Sequence, residues 1–471
     1  MIMKTKTHTH KITSFIVLWF AFILVACNLG TAPAAQPPTL APQNTAEPVA
    51  TLGYSGSGNQ VVEVASDISA PVANIDVELF NLTEQVDVGR LRTHVETLES
   101  FTTRHVNSTQ TRTDYGIGAA STYIYNQFLD IQTNSQGRFT AQSLPFDMQW
   151  AGLPTRQENI VGVLQGTMPG AGFIIVGAHY DSINTDFEDA TGFAPGANDN
   201  GSGVAGLIEM ARVMSQRQYR SSIIFVAFSA EEVGRLGSKA FVTWTQQQGI
   251  VDVAGMINID SIGNSNNRSG EVNESLRIFS CEEEIICRDG GLSRHMARSM
   301  EFLGFAHDAT LDMVVERSAD RDGRYGDHFS FSEVGFPAIR VINTLEEFGN
   351  GSTQDTADHV EYPFLREAVQ SIMLMTIAIA DGPPPPRNIT LRVSPDGMPT
   401  LIWEDVPEAE SYVIALRLAG SSRYDHQIDW ADGTAMPYAP LTSGEYDGLA
   451  IGTRGANGLI GRLSTEYALG G

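Results

Sequence analysis

Three long apolar runs organise the middle of the chain, and each ends on side chains that can bind a proton or a cation. Residues 174–183 read IIVGAHYDSI, residues 223–232 read IIFVAFSAEE, and residues 255–260 read GMINID. Unbroken apolar runs of this kind suit strands buried on both faces of a sheet. Between them the period changes. Residues 203–216 and 237–248 carry apolar positions at helical spacing, as do 88–104 and 116–129 ahead of the runs and 364–380 after them. Residues 157–164 and 174–176 read as neighbouring strands joined by a turn at Pro169-Gly170, and 336–342, FPAIRVI, as a late strand. Strand alternating with helix predicts a three-layer α/β/α domain on a mixed, largely parallel sheet.

The pattern changes at both ends. Asp381 begins a stretch with four consecutive prolines, a stiff spacer. Beyond it lie short candidate strands at 400–403, 411–418 and 448–453 with no convincing helix, which predicts a small all-β sandwich over 387–471. At the other end, Lys4, Lys6 and Lys11 precede an apolar run at 15–26 that is short for a membrane span and reads as a signal peptide. Residues 27–75 are rich in Ala, Pro and Thr and read as a disordered tether. The intervening 76–382 holds the α/β domain.

Composition narrows the partners. The 471 residues hold 55 Asp and Glu against 30 Lys and Arg, a formal charge of -25, which argues against sequence-independent binding to nucleic acid. Only three cysteines occur. Cys27 closes the sequence Leu24-Val25-Ala26-Cys27, which resembles a bacterial lipobox, so the expectation is a chain lipidated at Cys27 and anchored to the outer face of a bacterial membrane. That leaves Cys281 and Cys287 as an even pair in an oxidising compartment, a natural disulfide.

The ends of the three runs carry the chemistry. His179, Asp181 and Asp199 follow the first, Glu231 and Glu232 the second, and Asp260 the third. Open α/β sheets bind ligands outside the carboxyl ends of their strands. A His and several carboxylates gathered there would be a costly core and a good metal site.

These residues, with Asp327-His328 in GDHFSF and the following GFPAIRV, resemble peptidase family M28, whose members are two-zinc aminopeptidases and whose relatives include glutaminyl cyclases. The resemblance implies that Asp199 bridges two zinc ions, that His179 and Asp260 complete one site, and that Glu232 serves the other. It also implies that Asp181 orients His179, that Glu231 is the general base for a zinc-activated water, and that Asp327 and His328 lie just behind the ligands. The implied substrate is a peptide or protein.

One departure stands out. The family's last zinc ligand is the histidine of an HTxxDT segment, and the matching GSTQDT here puts Gly351 at that position. His359 or His328 could substitute, or the second zinc could be weakly held. Two rival functions follow from the departure: a degenerate peptidase domain that binds at the cell surface, and a cyclase-like acyl transferase. The C-terminal segment resembles a fibronectin type III module, on Trp403, Tyr412 and the late AIGTRGANGLIGRLS.

Overall fold

The computed structural model describes residues 77–281, 289, 291–316, 325–346 and 349–469. The predicted signal peptide, the tether with Cys27, and Cys287 lie outside the described residues. Eight strands form the main sheet: β1 (Phe139–Trp150), β2 (Leu153–Leu164), β3 (Phe173–His179), β4 (Ser222–Phe228), β5 (Val253–Ile259), β6 (Ser275–Ser280), β7 (Asp312–Val315) and β8 (Ala338–Asn343). Their spatial order is β1-β2-β4-β3-β5-β8-β6-β7. The central four, β4, β3, β5 and β8, run parallel, while β1, β2 and β6 pair antiparallel. The fold is therefore three-layered on a mixed sheet.

Period-two alternation in the central strands builds the two covered faces. Ile174, Val176 and Ala178 of β3, with Ile223, Phe225 and Ala227 of β4, pack into one core, and Ile175, Ile224, Val226 and Phe228 into the other. The first core is roofed by α1 (Val77–Thr83), α2 (Val88–Ser100), α3 (Ile117–Asn134), α4 (Gly203–Met214), α6 (Leu292–Ala306) and α8 (Tyr362–Asp381). Helix α5 (Leu236–Gln247) and the short α7 (His328–Ser332) cover the second. Because both faces are buried, the strands can offer water only their ends.

Two sequence expectations need correction. The strands at 157–164 and 174–176 are not neighbours, because β4 lies between β2 and β3. A parallel strand needs a crossover connection, and α4 carries the chain back to a strand, β4, that inserts between β2 and β3. The periodic stretch at 88–104 also ends early, with α2 stopping at Ser100 and Thr102 entering a left-handed turn at φ 67°. That turn frees Arg104 from the helix surface and sends it into the interior.

Past α8 the chain forms two small antiparallel sheets. β9 (Thr390–Val393), β10 (Pro399–Ile402) and β13 (Ala435–Pro437) make one, in the order β13-β10-β9. β11 (Ser411–Leu418), β12 (His426–Trp430), β14 (Tyr446–Arg454) and β15 (Tyr467–Ala468) make the other, in the order β12-β11-β14-β15. Trp403, Tyr412, Leu416, Tyr446 and Leu449 fill the core shared by these sheets. Cys281, at the end of β6, is disulfide-bonded.

Candidate metal centre

Three adjacent parallel strands deliver the charged groups. His179 is the last residue of β3, Glu231 and Glu232 follow β4, and Asp260 follows β5. Asp199 comes from an irregular turn, Ala197–Ser202, that leads into α4. These five line one cavity of about 290 Å³, together with Gly234, Arg235, Lys239, Tyr325, Gly326 and Arg340.

His179 is the hub. Its Nε2 lies 3.2 Å from Asp199 Oδ1 and 3.5 Å from Asp260 Oδ1. Its Nδ1 contacts the carbonyl of Asp181 at 3.2 Å, with that residue's carboxylate at 3.6 Å. A carbonyl can only accept, so Nδ1 carries the proton in the neutral ring and Nε2 presents its lone pair to two carboxylates. Lone pair facing anion is repulsive unless a positive charge sits between them, which is a proton in the metal-free centre and a metal ion in the loaded one.

The Asp181 carboxylate has a second duty. Its two oxygens accept hydrogen bonds from the backbone N–H groups of Glu231 and Glu232, at 3.0 and 3.1 Å. One carboxylate thus holds the turn after β4 against the end of β3. The Asp199 turn is tied down similarly: Asp355 accepts from the N–H groups of Asn198 at 2.8 Å and Asp199 at 2.9 Å. Asn200 donates to the carbonyl of Ile259 at 2.8 Å and accepts from the N–H of Ser261 at 3.0 Å, which fixes the same turn to the end of β5.

Arg104 buckles the assembly from beneath. Fully buried, it donates from Nε to the carbonyl of Tyr180 at 2.6 Å, from Nη1 to Pro195 at 2.6 Å, and from Nη2 to Gly196 at 2.8 Å. The chain must pass close to manage this. A Cβ at Gly196, whose φ is 52°, would lie 2.6 Å from Arg104 Nη2, so glycine is required there. Replacing Arg104 with methionine leaves the buried carbonyls of Tyr180 and Pro195 without their donor and Gly196 with only the N–H of Gly201, and we expect a loss of about 2 kcal/mol or more in folding stability. The urea midpoint of the purified variant checks this.

Electrostatics favour a bound cation. Burial pushes the Glu231 and Glu232 carboxyls well above the ordinary range, and Asp199 is the largest charged contributor to the rise at Glu232. His179 is pushed well up because hydrogen bonds to Asp181, Asp199 and Asp260 outweigh its burial. Glu232 Oε1 is buried without a hydrogen-bond partner among the described residues. The ligand atoms of His179, Asp199 and Glu232 lie within 4.8 Å of one another. Imidazole and carboxylate donors at this spacing, with one carboxylate oxygen unsatisfied, fit zinc.

Asp260 is shared. Its Oδ2 pairs with Arg340 Nε at 2.9 Å, which leaves Oδ1 as the oxygen facing His179. Asp327 and His328 start α7 and are both buried. Neither oxygen of Asp327 has a hydrogen-bond partner among the described residues, and burial pushes its carboxyl up to about 7. Burial, with Arg340 and Arg235 nearby, lowers His328 well below the usual histidine range.

Gly351 has a φ of 69°, and a Cβ built on it meets no atom within 4 Å. Among the described residues no side chain, apolar or otherwise, fills the position of the expected histidine. His359 lies in an exposed turn, Ala357–His359, with Nδ1 3.0 Å from the carbonyl of Gln354. Neither it nor His328 joins the ligand group among the described residues.

Sequence reasoning missed Arg104, Arg340 and the role of Asp355. Arg340 carried a usable signal, since a lone charge within an apolar strand has to be paired.

Comparison with known proteins agrees with this geometry. The model for Peptidase family M28 matches residues 159–376. A probable zinc metalloprotease of Phaeosphaeria nodorum is 30% identical over 361 residues, covering 68% of this chain and 72% of that protein. Another, from Pyricularia oryzae, is 29% identical over 495 residues, covering 93% of this chain and 96% of that protein. Among solved structures, LapB from Legionella pneumophila has a similar fold, with a TM-score of 0.52 at 20% identity over 66% of this chain and 77% of that one. The LapA aminopeptidase of the same organism gives 0.50 at 20% identity, over 64% of this chain and 74% of that one.

Proposed function

The chain belongs to peptidase family M28 and is a zinc metallopeptidase, and from that premise we propose that it is an exported aminopeptidase with Glu231 as its general base. The observation that carries this reading is the sharing of one cavity by Glu231 and the ligand set His179, Asp199, Glu232 and Asp260. A glutamate beside those ligands has a use in hydrolysis and none in mere binding.

Zinc, when bound, supplies a Lewis acid for the scissile carbonyl and lowers the pKa of a water. Glu231 takes the proton from the attacking water as the new C–O bond forms, and passes it to the departing amine as the C–N bond breaks. Asp181 positions Glu231 through the backbone hydrogen bonds described above. His179 is held by its Nδ1 contact, so its free nitrogen faces the metal side. The acidic wall of the cavity also gives a free α-amino group a landing point, which favours cleavage at the N-terminus. Incubating a short peptide and its N-acetylated twin with zinc-loaded protein, followed by mass spectrometry, tests this. Stepwise loss of N-terminal residues from the free peptide alone is expected, and internal cleavage of both would rule it out.

Export and anchoring rest on the N-terminal pattern. Labelling with a fatty-acid analogue is expected in cells expressing the full chain and absent from Cys27→Ser, whereas equal labelling would refute a lipid at Cys27. The strand orders of the two C-terminal sheets, β13-β10-β9 and β12-β11-β14-β15, support a fibronectin type III-like module.

A further inference from the structure

The cavity has a second wall that hydrolysis does not explain. Opposite in charge to the ligands, Arg235 and Lys239 line it, Arg235 immediately before α5 and Lys239 in its first turn. Arg235 is the informative one. Its side chain is only 11% exposed, and its Nη2 pairs with Glu333 at 3.2 Å. Its Nη1 is buried and has no hydrogen-bond partner among the described residues.

A guanidinium keeps its charge at any physiological pH, so a buried donor edge without an acceptor is a standing cost unless a ligand meets it. The rings of Tyr325 and Phe329 flank the group at 5.9 and 5.6 Å. The aromatic packing holds the guanidinium in place and leaves its in-plane N–H edge as the group that can bind. Arg235 also sits at φ 61°, a conformation unfavourable to any residue with a Cβ. An arginine held in that conformation, beside a reaction cavity, points to use.

The rest of the lining agrees. Among the described residues the cavity presents no aliphatic side chain; Tyr325 is its one aromatic. Pockets that select Leu or Phe are lined mainly by apolar groups, and this one is not.

We infer that the cavity is built to receive a carboxylate on the substrate, gripped by the free edge of Arg235 with Lys239 beside it. A planar N–H fork matches a carboxylate in shape and charge. The inference rests on the aminopeptidase reading above. Two sources of that carboxylate share the same chemistry: the side chain of an N-terminal Asp or Glu, and the free C-terminus of a short peptide.

The experiment uses zinc-loaded protein and two matched pairs of substrates. One pair is a glutamyl and a methionyl aminocoumarin reporter, similar in length and different in charge; the other is leucyl-glycine and leucyl-glycinamide. In at least one pair the carboxylate member is expected to have a kcat/KM roughly 10- to 100-fold higher, and the favoured pair identifies the source. Arg235→Gln is expected to bring that ratio close to one, with Arg235→Lys recovering part of it and Lys239→Gln lowering it less. Turnover of the neutral members without a carboxylate preference would overturn this inference alone. Loss of turnover on all four substrates would overturn the aminopeptidase reading with it. A preference unchanged in both Arg235→Gln and Lys239→Gln would overturn the assignment to this wall. Thermal melts of each variant keep misfolding separate from lost recognition, and the wild-type ratios need no variant.

Discussion

Glu231→Gln is expected to retain zinc and to lose turnover by roughly 10²- to 10⁴-fold, the range a positioned general base contributes. The substitution keeps the shape of the side chain and leaves the N–H of residue 231 free to donate to Asp181, so the turn after β4 stays in place. What disappears is the ability to accept a proton from water. The loss therefore falls on kcat, and the variant's residual activity lacks the acid limb that deprotonation of a base produces. Burial raises this carboxyl while His179 lowers it. Since the base works deprotonated, wild-type activity falls as pH drops through its pKa. Metal analysis and a pH profile of kcat/KM on the same preparation check both parts. A variant that keeps wild-type turnover, or that loses its zinc, contradicts the role given to Glu231.

Asp199→Asn is expected to fail one step earlier, at metal binding. Even groups outside the ligand set typically cost 10- to 100-fold in affinity when removed, and Asp199 faces His179 Nε2 directly at 3.2 Å. Its N–H bond to Asp355 survives the change, because that contact uses the backbone. In the metal-free protein two effects of Asp199 oppose each other: its charge raises the carboxyl of Glu232, and its hydrogen bond draws a proton to His179, so removing it is expected to move the melting temperature little. With zinc present the loss is large, since a ligand that binds only the folded state stabilises it, and wild type alone binds well. A pair of melting curves, with chelator and with zinc, tests the difference. Equal shifts in both media would contradict the placement of Asp199 among the ligands.

Much of the fold and site could be read from the chain because both rest on the same feature. An apolar run that stops on a charged residue announces a buried strand and the exposed end of that strand together. That is why His179, Asp199, Glu232 and Asp260, carried by three separate runs and a loop, are legible as one group in the sequence. What escaped the reading were polar residues that work inside the protein. Arg104 and Asp355 lie in segments without an apolar run, and their roles come from backbone carbonyls and N–H groups brought close by folding. Strand β1 escaped for a different reason. It lies at the edge of the sheet and includes Pro145, which argues against a strand interior, although Leu144, Phe146, Met148 and Trp150 alternate with exposed positions. The order of β2, β4 and β3 was illegible because crossover connections, not sequence neighbours, set which strands pair.

The departure at Gly351 bears on how firmly zinc is held. A glycine with a φ of 69° and open space around it supplies no donor. The described ligand group contains one imidazole, that of His179, and its affinity depends on how well Arg104, Asp181 and Asp355 hold the carboxylates in place. Loosening any of these three is therefore equivalent, for the metal, to weakening a ligand.

The most direct test of the account is a zinc titration of the chelator-treated protein, following bound metal and release of an N-terminal residue in the same samples. The account predicts no turnover without metal and turnover that rises in step with bound zinc. Turnover that is undiminished in the metal-free protein, or absent from the fully zinc-loaded one, would contradict it.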